Sequence, residues 1–345
     1  MRLSVHRVLC STAAFGLLAV GCFASASADA TVLDAIRTRG HVLCGVGDGP
    51  KGYSSVNAQG MWSGINVDFC RALAVATLGN RDAVQFRLVP AGERFTALQS
   101  REIDVLSRNV TITLSLDTTL GIRFPGVLVY DGQGFLVRKA QNVSSALELS
   151  GARVCVTTET SDAQGVADFF NGLKIPYDLQ KFEKWTDAAM AYANKSCQVL
   201  SADVSVLAMA RQAQPDAGEH IILPELASKQ PVGPAVRQGD DEWFSVVRWT
   251  IYALIAAEEL GINSANVDAM KTSGGSEARR FLGSDLELGK YLGLSADWTQ
   301  RLIKQIGNYG ELFDRTLGLK SALKLERRQN NLAANGGLHY APSFR

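Results

Sequence analysis

Two runs of alternating strand and helix signals constrain this chain more than any other feature. In the first, the apolar strand His41-Val42-Leu43-Cys44-Gly45-Val46 precedes a helix over 66–79 with Val67, Cys70, Leu73, Ala74 and Leu78 on one face. A strand over 84–89, a short helix over 94–100 and the buried strand Ile103-Asp104-Val105-Leu106 follow. In the second, Arg153-Val154-Cys155-Val156 leads to a helix over 162–172, a short strand Lys181-Phe182, a helix over 187–194, the strand Val199-Leu200-Ser201 and a helix over 204–212. Such alternation builds parallel sheets covered by helices. With 345 residues the chain is long enough for two such units. The run 135–139 reads as an outgoing crossover, and 221–224 with 231–236 as the return. Two crossovers make a hinge, and a hinge between two α/β lobes makes a cleft that closes on a ligand. The expected organisation is lobe 1 over 31–134 plus 235–345 and lobe 2 over 138–230. The final third is a helical C-terminal extension: Asp240 stands as N-cap of a long helix over 243–260 ended by Gly261, and a second helix runs over 297–306.

The N-terminus is of another kind. Arg2, His6 and Arg7 precede an apolar run over 8–23, and small residues follow in Ala26-Ser27-Ala28-Asp29-Ala30. This is the layout of a secretory signal over 1–30, too short to remain as a membrane anchor, with cleavage after Ala28 or Ala30. Leu18-Ala19-Val20-Gly21-Cys22 is a loose lipobox, so a tether at Cys22 is a second outcome. Export bears on the cysteines. Cys10 and Cys22 lie in the signal, which leaves Cys44, Cys70, Cys155 and Cys197. Four cysteines in an oxidising compartment favour disulfides. The local pairing 44–70 and 155–197 closes the smallest loops, with four buried thiols as the alternative.

Several chemistries are disfavoured. A net charge of +1 gives no electrostatic case for nucleic acid. His41, His220 and His339 are scattered without metal-ligand spacing, and no nucleophile elbow, zinc-protease or phosphate-loop pattern occurs. Neither a metal nor a cofactor is therefore expected. Gly47-x-Gly49-x-x-Gly52 matches the dinucleotide fingerprint literally, but it leads into Tyr53-Ser54-Ser55 instead of a helix N-terminus that could hold a pyrophosphate.

The richest polar cluster is Ser107-Arg108-Asn109-Val110-Thr111-Ile112-Thr113, directly after a buried strand. Ligands of α/β lobes bind at the carboxyl ends of strands, and a guanidinium among hydroxyls suits a carboxylate. A solvated surface arginine is the plainer alternative.

Several blocks carry a resemblance. Val67-Asp68-Phe69-Cys70-Arg71-Ala72, Arg94-Phe95-Thr96-Ala97-Leu98-Gln99-Ser100, Asp104-Val105-Leu106-Ser107-Arg108-Asn109 and Tyr130-Asp131-Gly132-Gln133-Gly134-Phe135 resemble the general L-amino-acid-binding proteins of bacterial ABC importers. So do Gly233-Pro234-Ala235-Val236-Arg237, Gly307-Asn308-Tyr309-Gly310-Glu311 and the tail Gly336-Gly337-Leu338-His339-Tyr340-Ala341-Pro342. The resemblance implies a two-lobed type II periplasmic binding protein, monomeric, with an amino-acid ligand and inner-membrane permease subunits as partners. By position it implies that Tyr53 covers the ligand, that Arg94 meets an acidic side chain, that Thr111 and Thr113 line the carboxylate site, and that Asp203 accepts the ammonium. Each has a plainer role: Tyr53 in packing, Arg94 and Asp203 as helix caps.

Two departures from that family stand out. Its members carry a carboxylate-clamping arginine about where this chain has Leu116, a loss of roughly 1.5–3 kcal/mol per charged hydrogen bond. Their Gln-Ser-Gly-Thr-Thr loop is here Thr157-Thr158-Glu159-Thr160-Ser161, so that Glu159 brings a negative charge to the cleft beside Thr160 and Ser161. The candidate ligand is accordingly a polar or cationic amino acid or a close derivative. The rival reading is a cyclohexadienyl dehydratase-like enzyme on the same fold, with Glu159 as the acid.

Overall fold

The computed structural model describes residues 30–47, 51–158 and 162–345. The segment read as a signal, with Cys10 and Cys22, lies outside the described residues except for Ala30, as do Glu159, Thr160 and Ser161.

Lobe 1 opens with α1 (Val32–Arg39), capped by the Thr31 hydroxyl and closed by Gly40, whose φ of 79° is the left-handed value that glycine adopts without strain. The elements β1 (Val42–Val46), β2 (Ser55–Val56), β3 (Trp62–Ser63), α2 (Ile65–Leu78), β4 (Val84–Leu88), α3 (Arg94–Gln99) and β5 (Val105–Leu106) follow. Strands β4, β1 and β5 form one parallel sheet in that order. Helix α2 is buried on nearly all sides, as a helix apolar around its circumference must be. Its one core carboxylate, Asp68, is neutralised by Arg71 and Arg315, each at 2.8 Å.

The chain then passes through α4 (Leu114–Thr119), β6 (Ile122–Arg123) and β7 (Val129–Asp131) into lobe 2. That lobe comprises β8 (Gln133–Arg138), β9 (Ala152–Thr157), α5 (Asp162–Gly172), β10 (Tyr177–Phe182), α6 (Trp185–Ala193), β11 (Val199–Asp203), α7 (Val204–Gln212) and β12 (His220–Ile222). Its sheet has the order β10-β9-β11-β8-β12, with β8 antiparallel to both neighbours. This corrects one expectation. The run 135–139 is not the crossover: Phe135, Leu136 and Val137 are fully buried because β8 is an inner strand of this sheet, and such strands are apolar on both faces. The crossing itself is the pair β7 and β13 (Gln230–Val232), antiparallel with Asp131 opposite Gln230.

After β14 (Val236–Arg237), paired with β6, the chain returns to lobe 1 as α8 (Asp241–Glu259), α9 (Val267–Ser273), α10 (Ser276–Phe281), α11 (Trp298–Ile306) and α12 (Tyr309–Thr316). Asp240 caps α8 by accepting from the Trp243 N–H at 2.8 Å, as its position in the sequence led one to expect. Asn308 and Glu311 form a reciprocal capping box on α12. Each lobe carries one disulfide, Cys44–Cys70 between β1 and α2 and Cys155–Cys197 between β9 and the turn before β11. The local pairing is the one formed. No described helix is long and apolar enough to cross a membrane.

Candidate functional site

The lobe 1 side of the site lies where the parallel strands end. Gly47, Val89 and Ser107 directly follow β1, β4 and β5. Arg108 spans these ends. Its Nη1 donates to the Val89 carbonyl at 2.5 Å, and its guanidinium lies so close to Gly47 that a Cβ there would approach Cζ to 2.9 Å. Ser107 is buried; its hydroxyl donates to the Asn66 carbonyl and so fixes the first turn of α2. Asn109 is exposed. Thr111 bridges to Val232 on the return crossover, and Thr113 caps α4 by accepting from the Leu116 N–H at 3.3 Å. Leu116 packs beside a buried apolar cluster of lobe 1 that includes Val110, Ile122 and Phe124. Arg94 opens α3, with its guanidinium 4.5 Å from the Phe95 ring centroid and bonded to the Ala91 carbonyl. Gly52 turns at φ 95° against the Thr316 carbonyl and leads to a hairpin, not a helix, which removes the dinucleotide reading.

The lobe 2 side is acidic. Asp203 ends β11 and occupies the position before α7, yet its side chain makes no capping bond. It accepts from Gln230 Nε2 at 2.5 Å instead. Burial, then the charges of Asp131 and Asp162, push its carboxyl up to about 7. Asp162 is buried at the start of α5, directly after the undescribed loop. Gln133 ties this corner together by donating to the Asp162 carbonyl at 2.8 Å and to the Ser201 hydroxyl at 3.0 Å.

Asp131 joins the lobes. Standing at the end of β7, it accepts the Tyr53 hydroxyl from lobe 1 at 3.0 Å, the Ser205 hydroxyl from lobe 2 at 2.6 Å and the Gly132 N–H at 2.9 Å. Burial raises its carboxyl above the ordinary range while these donors pull it back. Tyr53 is fully buried, and burial followed by Asp131 holds its phenol well above the ordinary value.

Of the residues singled out in the sequence, Tyr53 and Asp203 share one electrostatic neighbourhood, and Ser107 and Arg108 stand together at the lobe 1 sheet edge. Asp131, Gln133, Asp162, Ser205 and Gln230 were not singled out for roles. A signal for the first two was present: a polar pair at the junction of two apolar stretches, Val127-Leu128-Val129 and Phe135-Leu136-Val137. Among the described residues no group of three His, Cys, Asp or Glu is arranged to hold a metal ion.

The ends of the lobe 1 strands thus carry an arginine, and the lobe 2 side carries clustered carboxylates. The profile of the bacterial extracellular solute-binding proteins, family 3, matches residues 42–263. The chain is 48% identical over 342 residues to the general L-amino acid-binding periplasmic protein AapJ of Rhizobium johnstonii, covering 99% of each chain. It is 41% identical to the glutamate/glutamine/aspartate/asparagine-binding protein BztA of Rhodobacter capsulatus, covering 97% of this chain and 99% of that one. A solved ABC transporter periplasmic binding protein from Brucella ovis with glutathione bound superposes with a TM-score of 0.78 at 45% identity, covering 92% of this chain and all of the other.

Proposed function

This chain belongs to the bacterial extracellular solute-binding proteins, family 3, and on that premise we propose that it captures an amino acid or close derivative between its lobes and hands it to the permease subunits of an inner-membrane ABC importer. The observation that carries the reading is the convergence of Asp131, Asp162 and Asp203, with the Asp203 carboxyl pushed up to about 7 first by burial and then by the charges of the other two. Carboxylates that repel one another at a strand edge are relieved by a cation. The ligand ammonium is the cation assigned here. Arg108, at the opposing strand ends, is assigned the ligand carboxylate. The lobes are assigned as 31–128 plus 233–345 and 133–229, on either side of the crossing strands β7 and β13, working as a single chain in the periplasm after removal of 1–30.

The ligands named for the relatives fit one chemical class. General L-amino acids, the glutamate group and glutathione each carry an α-ammonium and an α-carboxylate on one carbon. Relatives are named as binding proteins, which supports capture without turnover. A thermal-shift panel of the common amino acids and glutathione tests the proposal, since a bound ligand stabilises by RT ln(1 + [L]/Kd). At least one member is expected to raise Tm at millimolar concentration. No shift across the panel, or product formation from prephenate or arogenate, overturns it.

A further inference from the structure

The family profile ends at residue 263, but the chain continues to 345. We propose that the segment after α12 is a strap that sets the resting angle between the lobes, acting through Arg211, Arg328 and Asn330. The proposal rests on the two-lobed hinge and is independent of ligand identity.

On lobe 1 the strap is anchored firmly. Arg327 forms a two-toothed pair with Glu258 of α8, half-buried on both sides. His339 lies tilted against Tyr309 of α12, with centroids 4.2 Å apart, and Phe344 stands edge-on to Trp249 and Phe281 at 5.1 and 5.0 Å. At the hinge, the Asn330 amide pairs both backbone groups of Tyr130 on β7: it accepts from the N–H at 2.7 Å and donates to the carbonyl at 2.9 Å. A side chain thus does what a neighbouring strand would do. His339 also lies 5.0 Å from the Tyr130 ring.

Two arginines then cross to lobe 2 in opposite directions. Arg328 of the strap donates to the carbonyls of Ile222 and Leu223, at 2.8 and 2.9 Å, at the end of edge strand β12. Arg211 of α7 donates back to the strap carbonyl of Leu323 at 2.9 Å. Arg328 holds a φ of 46°, a value uncommon outside glycine, which the surrounding contacts must maintain. A cavity of about 30 Å³, room for a water, has Tyr53, Asp131, Ser205, Leu325 and Asn330 in its wall, so the strap borders the node that joins the lobes. Backbone carbonyls do not titrate and cannot swing to follow a donor. Rotation of lobe 2 about β7 and β13 therefore breaks these bonds or moves the strap off its anchors.

Interlobe distance in the ligand-free full chain tests this. Spin labels at Thr38→Cys and Asn171→Cys, both exposed, report one lobe each. Arg211→Met with Arg328→Met is expected to displace and broaden the distance distribution. Where a ligand is known, apparent affinity should change about threefold or more, because it scales with the fraction of competent conformer. Arg328→Lys, which keeps the charge but loses the fork, gives an intermediate distribution and guards against simple misfolding. A distribution identical to the parent in folded, fully disulfide-bonded variants overturns the strap, whatever the ligand panel shows.

Discussion

The Tyr53 hydroxyl and Asp131, 78 residues apart in sequence, meet at 3.0 Å and join lobe 1 to the hinge strand. Ser205 completes the junction from lobe 2 at 2.6 Å. Tyr53→Phe removes one donor from a buried carboxylate and leaves the ring in place. A hydrogen bond to a charged group contributes about 1.5–3 kcal/mol, so urea unfolding should show a loss of that size. A loss below about 0.5 kcal/mol would mean that Asp131 does not depend on Tyr53.

Asp203 makes stability and binding depend on pH in opposite senses. Its carboxyl rises from 3.8 to about 7 on folding. Between those values the folded state binds more protons than the unfolded one, so this group's contribution to stability falls as pH rises through the window. Asp203→Asn should abolish that slope. A bound ammonium favours the ionised form, so ligand binding near pH 6 should release close to one proton, and affinity should weaken as pH drops below 7. Calorimetry in two buffers of different ionisation enthalpy measures the proton; no buffer dependence would contradict the assignment.

His339 acts at the acid end. Burial, then Arg327, drives its imidazole from 6.5 down to about 3. The unfolded chain takes up a proton below pH 6.5 that the folded chain refuses until about 3. Stability from this group is full above 6.5 and is lost as pH falls across that range, by about 1.4 kcal/mol per pH unit. His339→Phe keeps a ring between Tyr309 and Tyr130 and should flatten the acid limb of a Tm-against-pH curve. A parent-like limb would show that other groups govern it.

Much of the fold was legible because its elements are strongly patterned. Helices α5 and α7 begin and end where periodicity places them, and Asp240 and Gly40 mark helix ends by their capping chemistry. Strand β10 was only half visible: it is an edge strand, and Asp178, Gln180 and Lys181 interrupt its apolar positions, with Asp178 and Lys181 exposed. Strand β8 was misplaced because a fully apolar run reads alike as a crossover and as an inner strand, and only pairing with β11 and β12 decides. The site was legible in its parts and not in its assembly. Asp131, Asp162 and Asp203 come from three separate segments, and nothing local shows that they face one another.

Leu116 and Arg108 make a paired forecast about the carboxylate. If Leu116 holds the place of the clamp arginine, Arg108 carries most of the recognition. Arg108→Ala should weaken binding at least about thirtyfold, as for loss of one partner of a buried charge pair, with a native circular dichroism spectrum. Leu116→Arg gives up half-buried apolar contact but supplies a bidentate donor, and should tighten common α-amino acids about tenfold. Parent-like affinity in both variants would place the ligand carboxylate elsewhere in the cleft.

The central claim is that the lobe 2 carboxylates receive a ligand ammonium. Isothermal titration at pH 8 of the parent and of Asp203→Asn, with the best ligand from the panel, tests it most directly. The account predicts saturable one-to-one binding by the parent and a loss of at least about thirtyfold in the variant. Equal affinity in the two proteins would contradict it.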